Sequence, residues 1–182
     1  MLTGGASRRM GRTKALVPVD GTAMAARVAA SMRGAGCSPV VAVGGDPDEL
    51  VPLGLQVVPD DHPGQGPLGG IVTAMLMAAT LDGADLLVVA CDLPFVGPAE
   101  LGALVAGATA HPDADVVVAR TERREPACAL WRPSSHPVTT AAFDAGERAV
   151  HAVLDRLVVA EVELPASALR NINVPADLPG YP

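Results

Sequence analysis

The segment Leu2–Lys14 combines glycines with a dense group of positive charges. It reads Leu-Thr-Gly-Gly-Ala-Ser-Arg-Arg-Met-Gly-Arg-Thr-Lys and contains no acid, although the whole chain of 182 residues carries a net charge of −7. Glycine lets backbone N–H groups approach an oxyanion closely, and cationic side chains supply the opposite charge. We therefore predict a phosphate cradle, and the alternative is a solvated turn without a ligand. Its cations are Arg8, Arg9, Arg12 and Lys14, the single lysine of the chain.

This cradle is not a P-loop. A P-loop needs Gly-Lys-Ser/Thr, whereas two residues separate Gly11 from Lys14 here and Ala15 follows the lysine. The chemistry indicated is the binding of a small anionic ligand. An acidic chain of this kind would repel a nucleic-acid backbone, so nucleic acid is excluded as a partner.

Asp92 is a second candidate, because it directly follows the apolar run Leu86–Cys91. A carboxylate at the tip of a buried strand is well placed to bind Mg²⁺, which takes oxygen ligands and is usually shared with substrate phosphates. The alternative is a turn that prepares Pro94. Cys91 is interpreted as a small buried residue and not as a nucleophile, because no histidine is obviously paired with it.

A third candidate is the glycine-rich segment Val58–Gly70. Residues 64–69 match Gly-x-Gly-x-x-Gly literally, but the match lies away from the preceding strand, and Pro67 lacks an N–H where a pyrophosphate would need one. We predict instead a second loop that opens a helix, with Asp60 as a hydrogen-bond acceptor for a base or a sugar. Histidines without ligand spacing are interpreted as structural or surface residues: His62, His111, His136 and His151.

Short apolar runs alternate with segments that carry helical signals. Continuous, β-branched runs favour strands that are covered on both faces, and they lie at 39–43, 55–58, 86–91, 115–119 and 158–164. Helices are predicted from Thr22 to about Gly34, over 68–81 and from Pro98 to about Gly107. The region 122–173 is less regular, with a strand at 127–131 and a helix near 147–157. Alternation of this kind predicts a mostly parallel sheet with helices on both faces, whose ligands bind beyond the carboxyl ends of the strands.

Composition sets further limits. Apolar residues make up 49% of the chain and charged residues 18%, which is typical of a globular protein and excludes a disordered one. The length suits a single domain over 1–182. Three widely spaced cysteines encode neither a disulfide framework nor a zinc site, which favours a reducing, cytoplasmic location. No apolar run is long enough to span a membrane, and no signal peptide is expected.

Taken together, these motifs resemble the molybdenum cofactor guanylyltransferases, the MobA-type family of nucleotidyltransferases. The opening loop is similar to the Leu-Ala-Gly-Gly-x-Ser-x-Arg-Met-Gly-x-x-Lys signature of that family. Four further elements resemble its later motifs in the same order: Gly66-Pro67-Leu68-Gly69-Gly70, Cys91-Asp92-Leu93-Pro94, Gly146-Glu147-Arg148, and Asn171-Ile172-Asn173-Val174-Pro175 with Asp177-Leu178. The agreement extends over residues 2–178.

The resemblance implies a three-layer, Rossmann-like nucleotidyltransferase fold and a Mg²⁺-dependent transfer of GMP from GTP to the phosphate of molybdopterin. By this resemblance Leu2, Thr3 and Gly4 contact the guanine nucleotide through their backbone, and Lys14 binds its phosphates. Asp60 would recognise the nucleoside and Asp92 would bind Mg²⁺, with Asn173 completing the metal or product site. Lys14 and Asp92 are thus the expected catalytic residues. GTP and molybdopterin or the molybdenum cofactor are the expected partners, with transient contact to molybdoenzymes and none to a membrane.

Three features depart from the family pattern. Thr3 replaces the usual alanine, Thr13 replaces the acid that commonly precedes the lysine, and Met1 stands directly before Leu2, so that the first strand has almost no length. Three other functions remain alternatives. They are a related cytidylyltransferase or other nucleotidyltransferase, a non-catalytic carrier of the cofactor, and an NAD-binding oxidoreductase that would use the glycines at 64–69.

Overall fold

The computed structural model of the chain describes residues 1–4, 13–81 and 83–178. The strands are β1 Pro18–Val19, β2 Thr22–Ala23, β3 Val41–Val43, β4 Gln56–Val58, β5 Leu86–Val89, β6 Val116–Arg120, β7 Arg124–Trp131 and β8 Val159–Glu163. The helices are α1 Met24–Gly34, α2 Pro47–Leu50, α3 Gly66–Ala78, α4 Pro98–Ala110, α5 His136–Asp144 and α6 Val150–Leu154. Short 3₁₀ turns lie at Lys14–Leu16, Val51–Leu53, Pro133–Ser135 and Pro175–Asp177.

The central sheet consists of two groups of strands that Leu2 joins. β3 and β4 form one parallel pair, and β5, β7, β6 and β8 form the other group in that order. Leu2 makes parallel bridges to Val43 beside β3 and to Ala90 beyond β5. Within the described residues no other ladder connects the two groups. The expected first strand of almost no length is therefore what the structure contains.

Helices cover both faces of this sheet, because successive strand residues point to opposite sides. Leu87 and Val89 pack in one apolar cluster with α1 and α4. Val88, between them, packs in a second cluster with α3, α5 and α6. Each strand thus buries both of its faces, which explains why the apolar runs in the sequence are continuous and not alternating.

The predicted fold class is confirmed, with one strand reversed. β7 is antiparallel to both β5 and β6, whereas the other strands of the central sheet run in a single direction. The helix over 136–144 was not predicted, and the helix expected near 147–157 is limited to α6. Glu147 accounts for this shorter helix, because its carboxylate accepts the backbone N–H groups of Arg148 and Ala149, both at 2.8 Å, just ahead of α6.

Glycines allow α3 to approach the rest of the site closely. A Cβ atom on Gly69 would lie 2.9 Å from His62 Cβ, and one on Gly70 would lie 3.1 Å from Leu2 Cδ2. Larger residues at either position would push the helix away from the Leu2 junction and from the loop after β4. Among the described residues, none of the helices is long and apolar enough to cross a membrane.

Arg132 terminates α4 by donating to several of its last carbonyl groups. Its guanidinium bonds the carbonyls of Ala108, His111, Pro112 and Ala114, with the His111 and Ala114 contacts both at 3.2 Å. A planar fork of donors reaches several acceptors at once, which a lysine ammonium cannot do in the same geometry. We predict that Arg132→Lys and Arg132→Met each lower the free energy of unfolding by about 1 to 3 kcal/mol, because carbonyls at the helix end lose their partners.

Urea denaturation provides the measurement. Arg33→Lys is the matched control, because Arg33 donates at an exposed site to a single carbonyl, that of Gly54 at 3.1 Å. Its loss should stay within about 0.5 kcal/mol. Equal midpoints for Arg132→Lys and the wild type would contradict this role.

Candidate active site

The candidate site lies at the carboxyl edge of the central sheet. Leu2 leads into Thr3 and Gly4, β3 into Gly44, β4 into Asp60, and β5 into Asp92. Because these strands are parallel, their ends meet at the same edge, where open α/β sheets bind ligands. Chain topology therefore brings together residues that are far apart in the sequence.

Lys14 lies between two oxygen ligands at this edge. Its Nζ donates to Asp92 Oδ2 at 2.7 Å and to Asn173 Oδ1 at 2.7 Å. The side chains of Lys14 and Asp92 are 18% and 24% exposed, so the ion pair is only partly screened by solvent. The oxygens of Asp92 and Asn173 thus converge on one cation, the ammonium group of Lys14.

Asp177 holds the Asn173 segment in place. Its Oδ2 accepts the backbone N–H groups of Asn173 at 2.6 Å and Val174 at 2.9 Å. These two bonds, followed by the charges of Lys14 and Arg170, lower the pKa of Asp177 from its ordinary value. In addition, the N–H of Ile172 donates to the carbonyl of Asp92 at 3.0 Å. The C-terminal segment is therefore bound to Asp92 through its backbone as well as through Lys14.

Gly4, Gly44 and Asp60 form the other part of the site. A Cβ atom on Gly44 would lie 3.2 Å from Gly4 Cα and 3.5 Å from Asp60 Cβ, and Gly44 has a positive φ of 75°. Thr3 fixes the start of this loop, because its buried hydroxyl lies 3.0 Å from the carbonyl of Val43 and 2.7 Å from that of Gly44. The position at which Thr3 departs from the family signature is thus one that ties two strand ends together.

Asp60 is anchored on one side only. Its Oδ1 accepts the N–H of His62 at 2.9 Å and the hydroxyl of Thr73 at 3.1 Å. Thr73 belongs to α3 and is buried. The carboxylate is therefore oriented by a helix as well as by its own loop.

A small stack of rings closes the neighbouring wall. The ring of His62 lies 4.6 Å from that of Phe143, and the Arg148 guanidinium lies 4.1 Å from the centre of the Phe143 ring. Arg148 also donates to the Phe143 carbonyl at 2.8 Å. His62 is a packing residue here, as its sequence context indicated.

Cys91 is adjacent to Asp92 but is chemically quiet. It is 7% exposed, and burial raises the pKa of its thiol to about 12. A thiol with this pKa is almost entirely protonated at neutral pH, so it is a poor nucleophile. The interpretation of Cys91 as a buried residue is confirmed.

Oxygen atoms are the groups that could bind a metal at this edge. In the described ranges no three His, Cys, Asp or Glu side chains are grouped to form a protein-only metal cluster. Mg²⁺ does not need one, because it is commonly held by one or two carboxylates together with substrate phosphates. The carboxylate of Asp92 and the amide oxygen of Asn173 fit that donor set.

The structure thus gathers all the predicted site residues that it describes: Leu2, Thr3, Gly4, Lys14, Asp60, Asp92 and Asn173. Arg8, Arg9 and Arg12 lie outside the described residues. Sequence reasoning did not find the roles of Thr73 and Asp177. The four-residue spacing between Asn173 and Asp177 suits a side chain that bonds to nearby backbone, whereas Thr73 shows no local signal.

Comparison with known proteins agrees with this fold and site. Residues 1–162 match the family model of the MobA-like NTP transferase domain. The molybdenum cofactor guanylyltransferase of Rhodobacter capsulatus is 34% identical over 98% of this chain and 90% of its own length. That of Cereibacter sphaeroides is 36% identical over 98% of this chain and 91% of its own. Molybdopterin-guanine dinucleotide biosynthesis protein A from Archaeoglobus fulgidus superimposes with a TM-score of 0.71, at 26% identity, over 97% of this chain and 92% of that one.

The fold, the strand-edge site and these matches define a nucleotidyltransferase. The chain belongs to the MobA-like NTP transferase family.

We predict that the native protein alkylates slowly at Cys91 and Cys128. Burial raises the pKa of both thiols to about 12, so at pH 8 each is a thiolate on the order of 10³ times less often than an ordinary cysteine. Cys37 is half-buried and should react with iodoacetamide first. Peptide mass mapping gives the order of labelling, with unfolded protein as the control in which all three react. Rapid labelling of native Cys91 would contradict its protonated, buried state.

Proposed function

We propose that this nucleotidyltransferase transfers GMP from GTP to the terminal phosphate of molybdopterin and releases pyrophosphate. The observation that carries the proposal is the convergence of Lys14, Asp92 and Asn173 at the strand edge, with Nζ 2.7 Å from each oxygen. The proteins from Rhodobacter capsulatus and Cereibacter sphaeroides, named as guanylyltransferases, support the choice of GTP and of the molybdenum cofactor.

The nucleotide would bind along the strand ends. Leu2, Thr3 and Gly4 would contact it through their backbone, and the close packing of Gly4 against Gly44 leaves the main chain of this corner uncovered by side chains. Asp60 would accept a hydrogen bond from the nucleoside. The phosphates would then extend toward Lys14, because its ammonium is the cation nearest to Asp92 among the described residues.

Asp92 and Asn173 would hold Mg²⁺ through one carboxylate oxygen and one amide oxygen, which are the hard donors that this ion prefers. When bound, Mg²⁺ supplies neutralisation of phosphate charge and alignment of the triphosphate. Ile172 and Asp177 keep both donors in place, since they fix the Asn173 segment against Asp92 through backbone bonds.

Little acid–base chemistry is required of the protein. An oxygen of the molybdopterin phosphate arrives ionised and forms a bond to the α-phosphorus of GTP, and the bond from that phosphorus to the bridging oxygen of the β-phosphate breaks. Negative charge develops on the departing pyrophosphate, and the barrier comes from bringing two anions together. Lys14 would lower it by charge neutralisation and alignment, as preorganised cations do in phosphoryl transfer.

A panel of nucleotides tests the base. Thermal unfolding is measured with GTP, CTP, ATP, UTP and NAD, each with Mg²⁺. A ligand at 100 times its Kd should stabilise the protein by about 2.7 kcal/mol, and we expect this for GTP. A shift with CTP but not GTP would indicate a cytidylyltransferase, and a shift with NAD alone would indicate a dinucleotide-binding protein. Binding of GTP without pyrophosphate release in the presence of molybdopterin would indicate a carrier.

We predict that Asp92→Ala abolishes pyrophosphate release while the protein stays folded. The variant removes the carboxylate proposed to hold Mg²⁺ but leaves the strand and its packing unchanged. Asp113→Ala is the matched control, because Asp113 is exposed at a distant turn, and it should retain full activity. Turnover near the wild-type rate in Asp92→Ala with Mg²⁺ would overturn the metal assignment.

We predict that Lys14→Met lowers turnover on the order of 10²-fold or more, by analogy with the loss of one preorganised charge. Lys14→Arg should also be impaired, because a planar fork does not replace a compact ammonium held by two oxygens.

The single lysine allows a direct binding test as well. An amine-reactive acetylating reagent modifies only one lysine side chain in this protein. We expect GTP to protect Lys14 from acetylation in peptide maps, with the Met1 amine as an internal reference. Equal acetylation of Lys14 with and without saturating GTP would contradict phosphate binding at this residue.

A further inference from the structure

The two oxygens of Asp60 have different surroundings. Oδ1 already accepts two hydrogen bonds, from the N–H of His62 and the hydroxyl of Thr73. A carboxylate oxygen has two lone pairs, so Oδ1 has no capacity left for a ligand. Oδ2 faces the strand edge, where a Cβ atom on Gly4 would lie 3.7 Å from it. Asp60 can therefore offer a ligand one oxygen and not two.

Thr73 determines which oxygen is occupied. Its hydroxyl accepts the N–H of Asp61 at 3.1 Å, and its single proton can go to Asp60 Oδ1 at 3.1 Å or to the carbonyl of Gly69 at 3.2 Å. A charged acceptor forms the stronger bond, so the proton is directed to Asp60. Because Thr73 is only 3% exposed and lies on α3, water cannot readily replace it.

We propose that Thr73 is a positioning residue for nucleoside recognition, which fixes Asp60 so that Oδ2 alone accepts one hydrogen bond from a ribose hydroxyl. This inference rests on the proposed function, in which Asp60 meets the nucleoside. A single oxygen cannot pair with two adjacent N–H groups of a base edge, as a bidentate carboxylate does. Asp60 therefore contributes affinity for the sugar, and selection of the base lies with other groups.

The test is the isosteric variant Thr73→Val, which removes the hydroxyl and keeps the shape. Without its bond, Oδ1 loses one of its two anchors and the carboxylate can rotate. We expect the Kd for GTP, measured by calorimetry on the full chain, to rise about tenfold, which corresponds to about 1.4 kcal/mol. We expect kcat to change less than twofold, because Thr73 contacts no reacting atom. Thr73→Ser retains the hydroxyl and should restore the wild-type Kd.

Thr139→Val is the matched control for a purely structural effect. Thr139 is another fully buried helical threonine, and its hydroxyl donates to a carbonyl four residues earlier, that of Ser135 at 2.8 Å. This variant should lower Tm without changing the Kd for GTP. Tripolyphosphate, which has no nucleoside, should bind Thr73→Val and the wild type equally well. In an Asp60→Ala background, Thr73→Val should cause no further loss of GTP affinity.

Two results would overturn the positioning role: an unchanged Kd for GTP in Thr73→Val, or a loss that persists with tripolyphosphate or in the Asp60→Ala background. Thr73→Ala replaces the valine variant if the latter does not fold. The failure of the proposed function looks different, because Asp60→Ala would then bind GTP as the wild type does. A wild-type affinity for 2′,3′-dideoxy-GTP in the unmodified protein would show that the accepted donor is not a ribose hydroxyl.

Discussion

The segment Met1–Thr3 is the constraint on which the rest of the structure depends. It pairs on one side with β3, through bonds between Met1 and Val41, and between Thr3 and Val43, and on the other with the end of β5, through the bond from Leu2 to the Val89 carbonyl. Only these residues join the two groups of strands in the described part of the chain. Asp60 follows one group and Asp92 follows the other. The distance that a nucleotide must span between them is therefore set by this short junction.

A second constraint is electrostatic. Lys14 and Asn173 come from opposite ends of the chain, and their contact also involves the carboxylate of Asp92. Partly buried charges lose solvation, so each needs a partner in the folded protein. Asp177 contributes by binding backbone N–H groups and not another side chain, which orients Asn173 while leaving its amide oxygen directed at the cation. Charge pairing and backbone capping together keep the site open to an anionic ligand.

The sequence predicted those features that depend on local pattern and on residue type. The parallel strands, the helices on both faces, and the grouping of Lys14, Asp60 and Asp92 all follow from apolar runs and from what stands after them. The reversed direction of β7 was not predictable in this way, because strand direction depends on which neighbours a strand pairs with and not on its own alternation. The bond from Thr73 to Asp60 was missed for a related reason, since a threonine in an apolar helix gives no sign that its hydroxyl has a partner in a separate loop.

The junction at Leu2 also has a consequence for the order in which the molecule can fold. Leu2 bridges Val43 and Ala90, which lie far along the chain from it and from each other. Contacts of such long range form slowly, because the loops between them must close first. During synthesis, which runs from the N-terminus, Leu2 leaves the ribosome early but cannot complete its pairing until Ala90 has been made. The residues at the centre of the sheet are thus among the first synthesised and among the last to reach their final place.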